Sequence, residues 1–163
     1  MQNNNTMANK SQLQISYTDY SAMDELDPEI RSMLNKSKEF AKNAYAPYSK
    51  FKVGAAVLLE NGNILGGNNQ ENRAFPSGLC AERVAIFYAS ANYPDSAIKA
   101  VGVYTNSEGF LSPCGSCRQA ILEYELKQKN TLEVYLLNEN GQVRKFDSIS
   151  DLLPFGFKFN NFA

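Results

Sequence analysis

The sequence predicts an α/β fold, a three-layer α/β/α sandwich around a mixed sheet of about five strands. Three observations predict it. Helical and strand-like segments alternate in the second half of the chain, which calls for parallel strands joined by helical crossovers. An Asn-Gly pair between two apolar runs supplies an antiparallel hairpin ahead of them. No internal repeat or linker divides the 163 residues, a length that suits one core.

Residues 1–22 are polar and Asn-rich and read as a flexible lead-in, with Met7 as a second candidate start; residues 23–163 read as a single domain. The segment DPEIRSMLNKSKEFAKNAY reads as a helix. Asp27 stands at its cap, Pro28 suits its first turn, and Ile30, Met33, Leu34, Ser37 and Phe40 recur at helical spacing. Pro47 ends it, because the residue before a proline disfavours helical angles. FKVGAAVLLE (51–60) and NILGGNNQ (63–70) flank Asn61-Gly62 and predict a two-residue hairpin turn. A buried helix from Cys80 to about Tyr93 closes at Pro94, and AIKAVGVYTN (97–106) is a strand. SPCGSCRQAILEYELKQ (112–128) is a second helix opening with two cysteines. TLEVYLLNEN (131–140) is a strand, after which Asn140-Gly141 turns the chain into QVRKFDSI.

The net charge of −1 argues against a protein that grips a phosphate backbone, so no nucleic acid partner is expected. No apolar run is long enough to span a bilayer, so no membrane partner is expected either. Three cysteines without an export signal point to a reducing, cytoplasmic setting rather than a disulfide framework. The chain has no histidine, which removes Ser–His and Cys–His nucleophilic schemes and every imidazole-bound metal.

PCGSC (113–117) alone leaves two readings open. Thiols at this spacing before a helix suit a redox pair, because the helix start lowers a thiol pKa. They also suit a metal, because residues i and i+3 of a first turn aim both sulfurs the same way. The third thiol, Cys80, stands at another helix start. If the two helices begin side by side, Cys80, Cys114 and Cys117 converge, and a carboxylate or water completes a tetrahedron around one Zn²⁺ per chain. Glu82 is then close enough to accept a proton from that water. Three thiolates overcompensate the dication; helix N-termini and Arg83, beside the glutamate, offset the excess.

CAER (80–83) followed by PCGSC resembles the zinc-dependent cytidine deaminase superfamily and its C-x-E … P-C-x-x-C signature. PYSKFKVGAAV (47–57), NQEN (69–72), CAERVAIF (80–87) and LLPFGF (152–157) together resemble its small members, which act on free nucleosides. The resemblance implies Cys80, Cys114 and Cys117 as zinc ligands and Glu82 as the proton shuttle. It implies Phe51 against the pyrimidine, Asn69 and Glu71 on the ribose hydroxyls, and the Ala81 N–H on the base carbonyl. Phe75 stands where many members carry Tyr. Phe157 resembles a phenylalanine that reaches a neighbouring subunit's pocket in a homotetramer, with sites at subunit interfaces. The implied reaction is hydrolytic deamination of cytidine and deoxycytidine to uridine and deoxyuridine, with release of ammonia, in pyrimidine salvage.

Other functions compete with it. A cytosine-nucleoside antibiotic is an alternative substrate. A non-catalytic zinc-stabilised binding module would close its metal with a fourth protein ligand, and a thiol–disulfide exchanger would need no metal.

Overall fold

The computed structural model describes residues 9–158. Its elements are β1 (Thr18–Tyr20), α1 (Pro28–Ala41), β2 (Val53–Leu59), β3 (Ile64–Asn68), α2 (Ala81–Asn92), β4 (Ile98–Thr105), α3 (Gly115–Gln128), β5 (Glu133–Leu137) and β6 (Val143–Phe146). The strands form one mixed sheet in the order β1-β6-β5-β4-β2-β3. β4 and β5 run parallel, with α3 as their crossover, and every other neighbouring pair is antiparallel. This is the expected α/β/α sandwich, with six strands rather than five.

The three layers follow from residue alternation along the central strands. Ala56, Leu58, Ala100 and Tyr104 face α1, which buries Ile30, Met33 and Leu34 against them. Ala55, Val57, Val101 and Val103 face the other way and share a core with Ala85, Ile86 and Ile121 of α2 and α3. Asp27 holds the cap position of α1, but its carboxylate makes no cap bond; its backbone carbonyl accepts the Arg31 N–H at 3.0 Å.

Two details differ from the sequence reading. The hairpin turn is longer than two residues. The Gly62 N–H closes a turn on the Leu59 carbonyl at 3.0 Å, Gly62 takes φ 84°, and Leu59 N–H bonds Asn63 at 2.9 Å. The Asn61 side chain accepts the Asn63 N–H at 3.0 Å, a local bond that draws one more residue into the loop. The extra strand is β1, which lies inside the segment read as a flexible lead-in; residues 1–8 of that segment, Met7 among them, lie outside the described residues. β1 is held to β6 by ladder pairing and by Asp19, which takes two guanidinium N–H bonds from Arg144 at 2.7 Å each. A three-residue strand is too short to show alternation, so its sequence carries no strand signal.

The topology gathers several chain ends on one side of the sheet. Val53, where β2 begins, pairs with Thr105, where β4 ends, and Gly54 pairs with Asn68, where β3 ends. α2 and α3 both start beyond that side. α1 closes over it because Gly54 lacks a side chain: a Cβ there would run into the Ser37 carbonyl oxygen and come within 2.6 Å of the Ala41 nitrogen. Both obstacles are helix backbone and have little freedom to yield. Gly54→Ala is therefore expected to cost about 3 kcal/mol of stability, read as a lower urea midpoint at unchanged slope.

Candidate active site

Cys80 and Cys114 occupy the N-cap positions of α2 and α3 with extended backbone, and neither side chain caps its own helix. The thiols face one another instead. The Cys80 and Cys114 sulfurs are 3.9 Å apart, those of Cys114 and Cys117 are 3.5 Å apart, and all three lie within 4.8 Å of one another. No disulfide links them. Zn–S bonds of about 2.3 Å in tetrahedral geometry put ligand sulfurs roughly 3.8 Å apart, so the spacing suits a zinc ion without rearrangement.

The charge at the site points the same way. The hydrogen bond from Cys117 holds the Cys80 thiol down to about 5, and the Arg83 guanidinium adds to the effect at 3.8 Å. Cys117 is pushed up in turn, by its bond to Cys80, by burial and by the nearby Glu82 charge. Glu82, only 5% exposed on the first turn of α2, is raised above the ordinary carboxyl range chiefly by burial. Three thiols and a buried carboxyl thus compete to carry negative charge in one place. The two helix starts and Arg83 oppose it in part, and a divalent cation balances the remainder. The Nε of Arg83 is buried without a hydrogen-bond partner, so the guanidinium is turned towards the sulfurs by its outer nitrogens alone.

These groups open onto a cavity of about 720 Å³, large enough for a small ligand. Phe51, Asn69, Glu71, Phe75, Ala81, Glu82 and Arg83 all line it, together with Cys80 and Cys114. Every site residue expected from the sequence lines the cavity except Cys117, which is buried but lies beside the other two thiols, and Phe157. Phe157 is 73% exposed and does not line this chain's cavity; its backbone N–H and C=O pair with the side-chain amide of Gln119 at 2.9 and 3.0 Å.

Several of these side chains are also anchored in the scaffold. The Asn69 amide accepts from Val53 N–H and donates to the Phe51 carbonyl, both at 2.8 Å, which fixes the backbone that carries Phe51. The Glu71 carboxylate accepts the Tyr48 N–H at 3.0 Å and also the Ser49 N–H and hydroxyl; the Ser49 hydroxyl does most to hold it below the usual carboxyl range. Each retains unused donor or acceptor capacity.

Sequence reasoning missed Arg118. Its guanidinium donates to the Pro113 carbonyl at 2.7 Å, the Ser112 hydroxyl at 2.6 Å and the Leu152 carbonyl at 2.8 Å. It thereby ties the approach to Cys114 to the C-terminal segment. Its position directly after Cys117 was the available signal. Thr105, buried at the end of β4, and Leu111 and Ser112 complete the cavity wall; nothing in their residue types marked them.

Residues 28–132 match the family model described as the cytidine and deoxycytidylate deaminase zinc-binding region. The cytidine deaminase of Sporosarcina psychrophila is 41% identical over 129 residues, covering 79% of this chain and 91% of that protein. The crystal structure of cytidine deaminase from Burkholderia pseudomallei superimposes with a TM-score of 0.69 at 40% identity, covering 77% of this chain and 97% of that one. That of the Mycobacterium tuberculosis cytidine deaminase gives 0.65 at 29% identity, covering 82% and 100%.

Purified protein is expected to hold one zinc ion per chain. Cys117→Ala, which removes the buried thiol, is expected to hold none after dialysis against a chelator that leaves the parent protein loaded. Metal analysis by plasma emission checks both.

Proposed function

This chain belongs to the cytidine and deoxycytidylate deaminase family, and on that premise we propose that it hydrolyses free cytidine and deoxycytidine to uridine and deoxyuridine with release of ammonia. The observation that carries the proposal is the buried carboxyl of Glu82 beside three convergent thiols at the floor of a nucleoside-sized cavity.

Cys80, Cys114 and Cys117 would hold the zinc. When bound, it supplies a Lewis acid at which water loses its proton near neutral pH. Glu82 takes that proton and delivers it to N3 of the cytosine ring, which draws electrons from C4 as the C4–O bond forms. Glu82 then takes the remaining proton from the new C4 hydroxyl and carries it to the exocyclic amine, so that the C4–N bond breaks with ammonia as the leaving group and the C4 oxygen becomes the carbonyl of uracil. A carboxyl whose burial raises its proton affinity suits both transfers. Ala81 is the first residue of α2, where the helix provides no partner for the N–H, and that N–H would bind the base carbonyl. Phe51 would lie against the ring, and Asn69 and Glu71 would take the ribose hydroxyls with their remaining capacity. Phe75, 81% exposed at the cavity mouth, contributes a ring face without a hydroxyl. Arg83 would withdraw charge from Cys80, which strengthens the metal as an acid.

We propose further that the chain works as a cytoplasmic homotetramer. Three unpaired thiols suit a reducing compartment. Phe155, Phe157 and Phe75 leave 92%, 73% and 81% of their surface exposed in the single chain, a load of aromatic surface that a subunit contact would cover. Phe157 would there reach a neighbouring subunit's cavity. No described helix is long and apolar enough to cross a membrane. Light scattering on the eluted protein is expected to give four times the chain mass.

Glu82→Gln is expected to retain its zinc and lose about 10²- to 10⁴-fold in kcat on cytidine, followed by loss of the cytidine absorbance band. Activity equal to wild type would remove Glu82 from the reaction. Side-by-side rates on a cytosine-nucleoside antibiotic separate that alternative substrate. Arg83→Gln is expected to weaken zinc binding about 10- to 100-fold, measured by competition with a chromogenic chelator.

A further inference from the structure

One wall of the cavity is tied to a part of the chain outside the family-matched span. The loop from β4 to α3 contributes Leu111 and Ser112 to the cavity. Its end is fixed at Ser112 and Pro113 by Arg118, and its start is fixed where Glu139 N–H bonds Ser107 at 2.9 Å and the Asn138 side chain bonds Glu108 at 2.7 Å. Between these anchors stands Phe110, packed on the core beneath α2 and α3. The Arg144 guanidinium lies 4.6 Å from the centre of the Phe110 ring and 4.1 Å from that of Tyr17. Its Nε–H and one outer N–H go to Asp19, its cross-strand neighbour. A planar guanidinium held by a carboxylate fork has its faces free for aromatic rings, an arrangement lysine cannot reproduce. Tyr17 sits two residues from Asp19 and so presents to the same side of the sheet.

We propose that Arg144 is a positioning residue for the substrate cavity, and that Tyr17 and Asp19 orient its guanidinium so that it holds Phe110, and through it the cavity wall at Leu111. Tyr17 and Asp19 precede residue 28, where the family match begins. The segment ahead of the shared domain thereby acts on substrate binding from the far edge of the sheet. Loosening Phe110 reaches Leu111 and stops short of Cys114, because Arg118 independently clamps Ser112 and Pro113 between them. The effect therefore falls on nucleoside affinity and not on the metal.

The proposal rests on cytidine as the substrate, and it is tested by two readouts of which one needs no substrate. Tyr17→Ala removes a half-exposed ring without touching the ladder, and Arg144→Ala removes the guanidinium itself. Both are expected to raise KM for cytidine about three- to tenfold, with kcat within about twofold of wild type and zinc content unchanged. Amide hydrogen exchange in a peptide spanning residues 106–114 is expected to quicken in both. Tyr17→Phe keeps the ring and is expected to behave as wild type in each measurement. If Arg144→Ala fails to fold, Tyr17→Ala decides alone. Unchanged loop exchange and unchanged KM in Tyr17→Ala, even with a lowered melting temperature, would overturn the proposal and leave Arg144 as a clasp for the sheet edge. If wild type does not turn over cytidine, the substrate assignment fails, and loop exchange alone decides the role of Arg144.

Discussion

Everything at the site depends on α2 and α3 starting side by side beyond one end of the sheet. Each helix start presents unpaired N–H groups and the positive end of its dipole. Here both starts also carry a cysteine in the position where Ser, Asp or Asn usually caps. The two helices forgo side-chain caps, each a loss of about 1 kcal/mol. Three thiols in one place compete for negative charge, with Cys80 lowered and Cys117 raised. The arrangement suits a metal centre. It also leaves the redox reading without support, since a third thiol and a buried carboxyl crowd the pair.

Small residues make the convergence feasible. Gly54 lets α1 lie against the start of β2, and Gly67 does the same for α2 on β3, where a Cβ would come within 2.9 Å of the Ala85 nitrogen. Both glycines lie on the antiparallel hairpin next to β4. The hairpin is thus pressed between helices from both faces, and its open end, with Phe51 and Asn69, is aimed at the thiols. Glu125 performs a similar task on α3: its buried carboxylate accepts from Leu132, Ile149, Ser148 and Ser150 and pins the C-terminal segment to the helix. That segment in turn receives Arg118 through Leu152. The position of Cys114 is therefore set from several directions, as a metal ligand's must be.

Much of this was legible in the sequence. The period of α1, the Asn-Gly turns and the helix-opening cysteines each signal through local chemistry, and they recover the layers, the parallel crossover and the ligand set. What stayed hidden is non-local. β1 is three residues long and owes its place to ladder pairing and an ion pair with β6, whose Arg144 is 125 positions from Asp19. Arg118 and Arg144 were not singled out in the sequence, because most of the carbonyls and rings they meet come from other segments. Asn69 and Glu71 were legible as site residues only by resemblance, and their anchoring of the Phe51 and Tyr48 backbone has no sequence signature. The family match and the geometry overlap at the zinc site, where three thiols converge. Beyond that overlap the chain's own contacts carry the account.

The central claim is that three thiolates from two helix starts, and no other protein group, hold one zinc ion that stays open beside Glu82. X-ray absorption at the zinc edge of the purified protein tests it most directly. The account predicts three sulfur scatterers at about 2.3 Å and one lighter scatterer, with the light shell alone altered when a cytidine analogue is added. Two sulfurs, or a fully protein-ligated shell indifferent to the analogue, would contradict it.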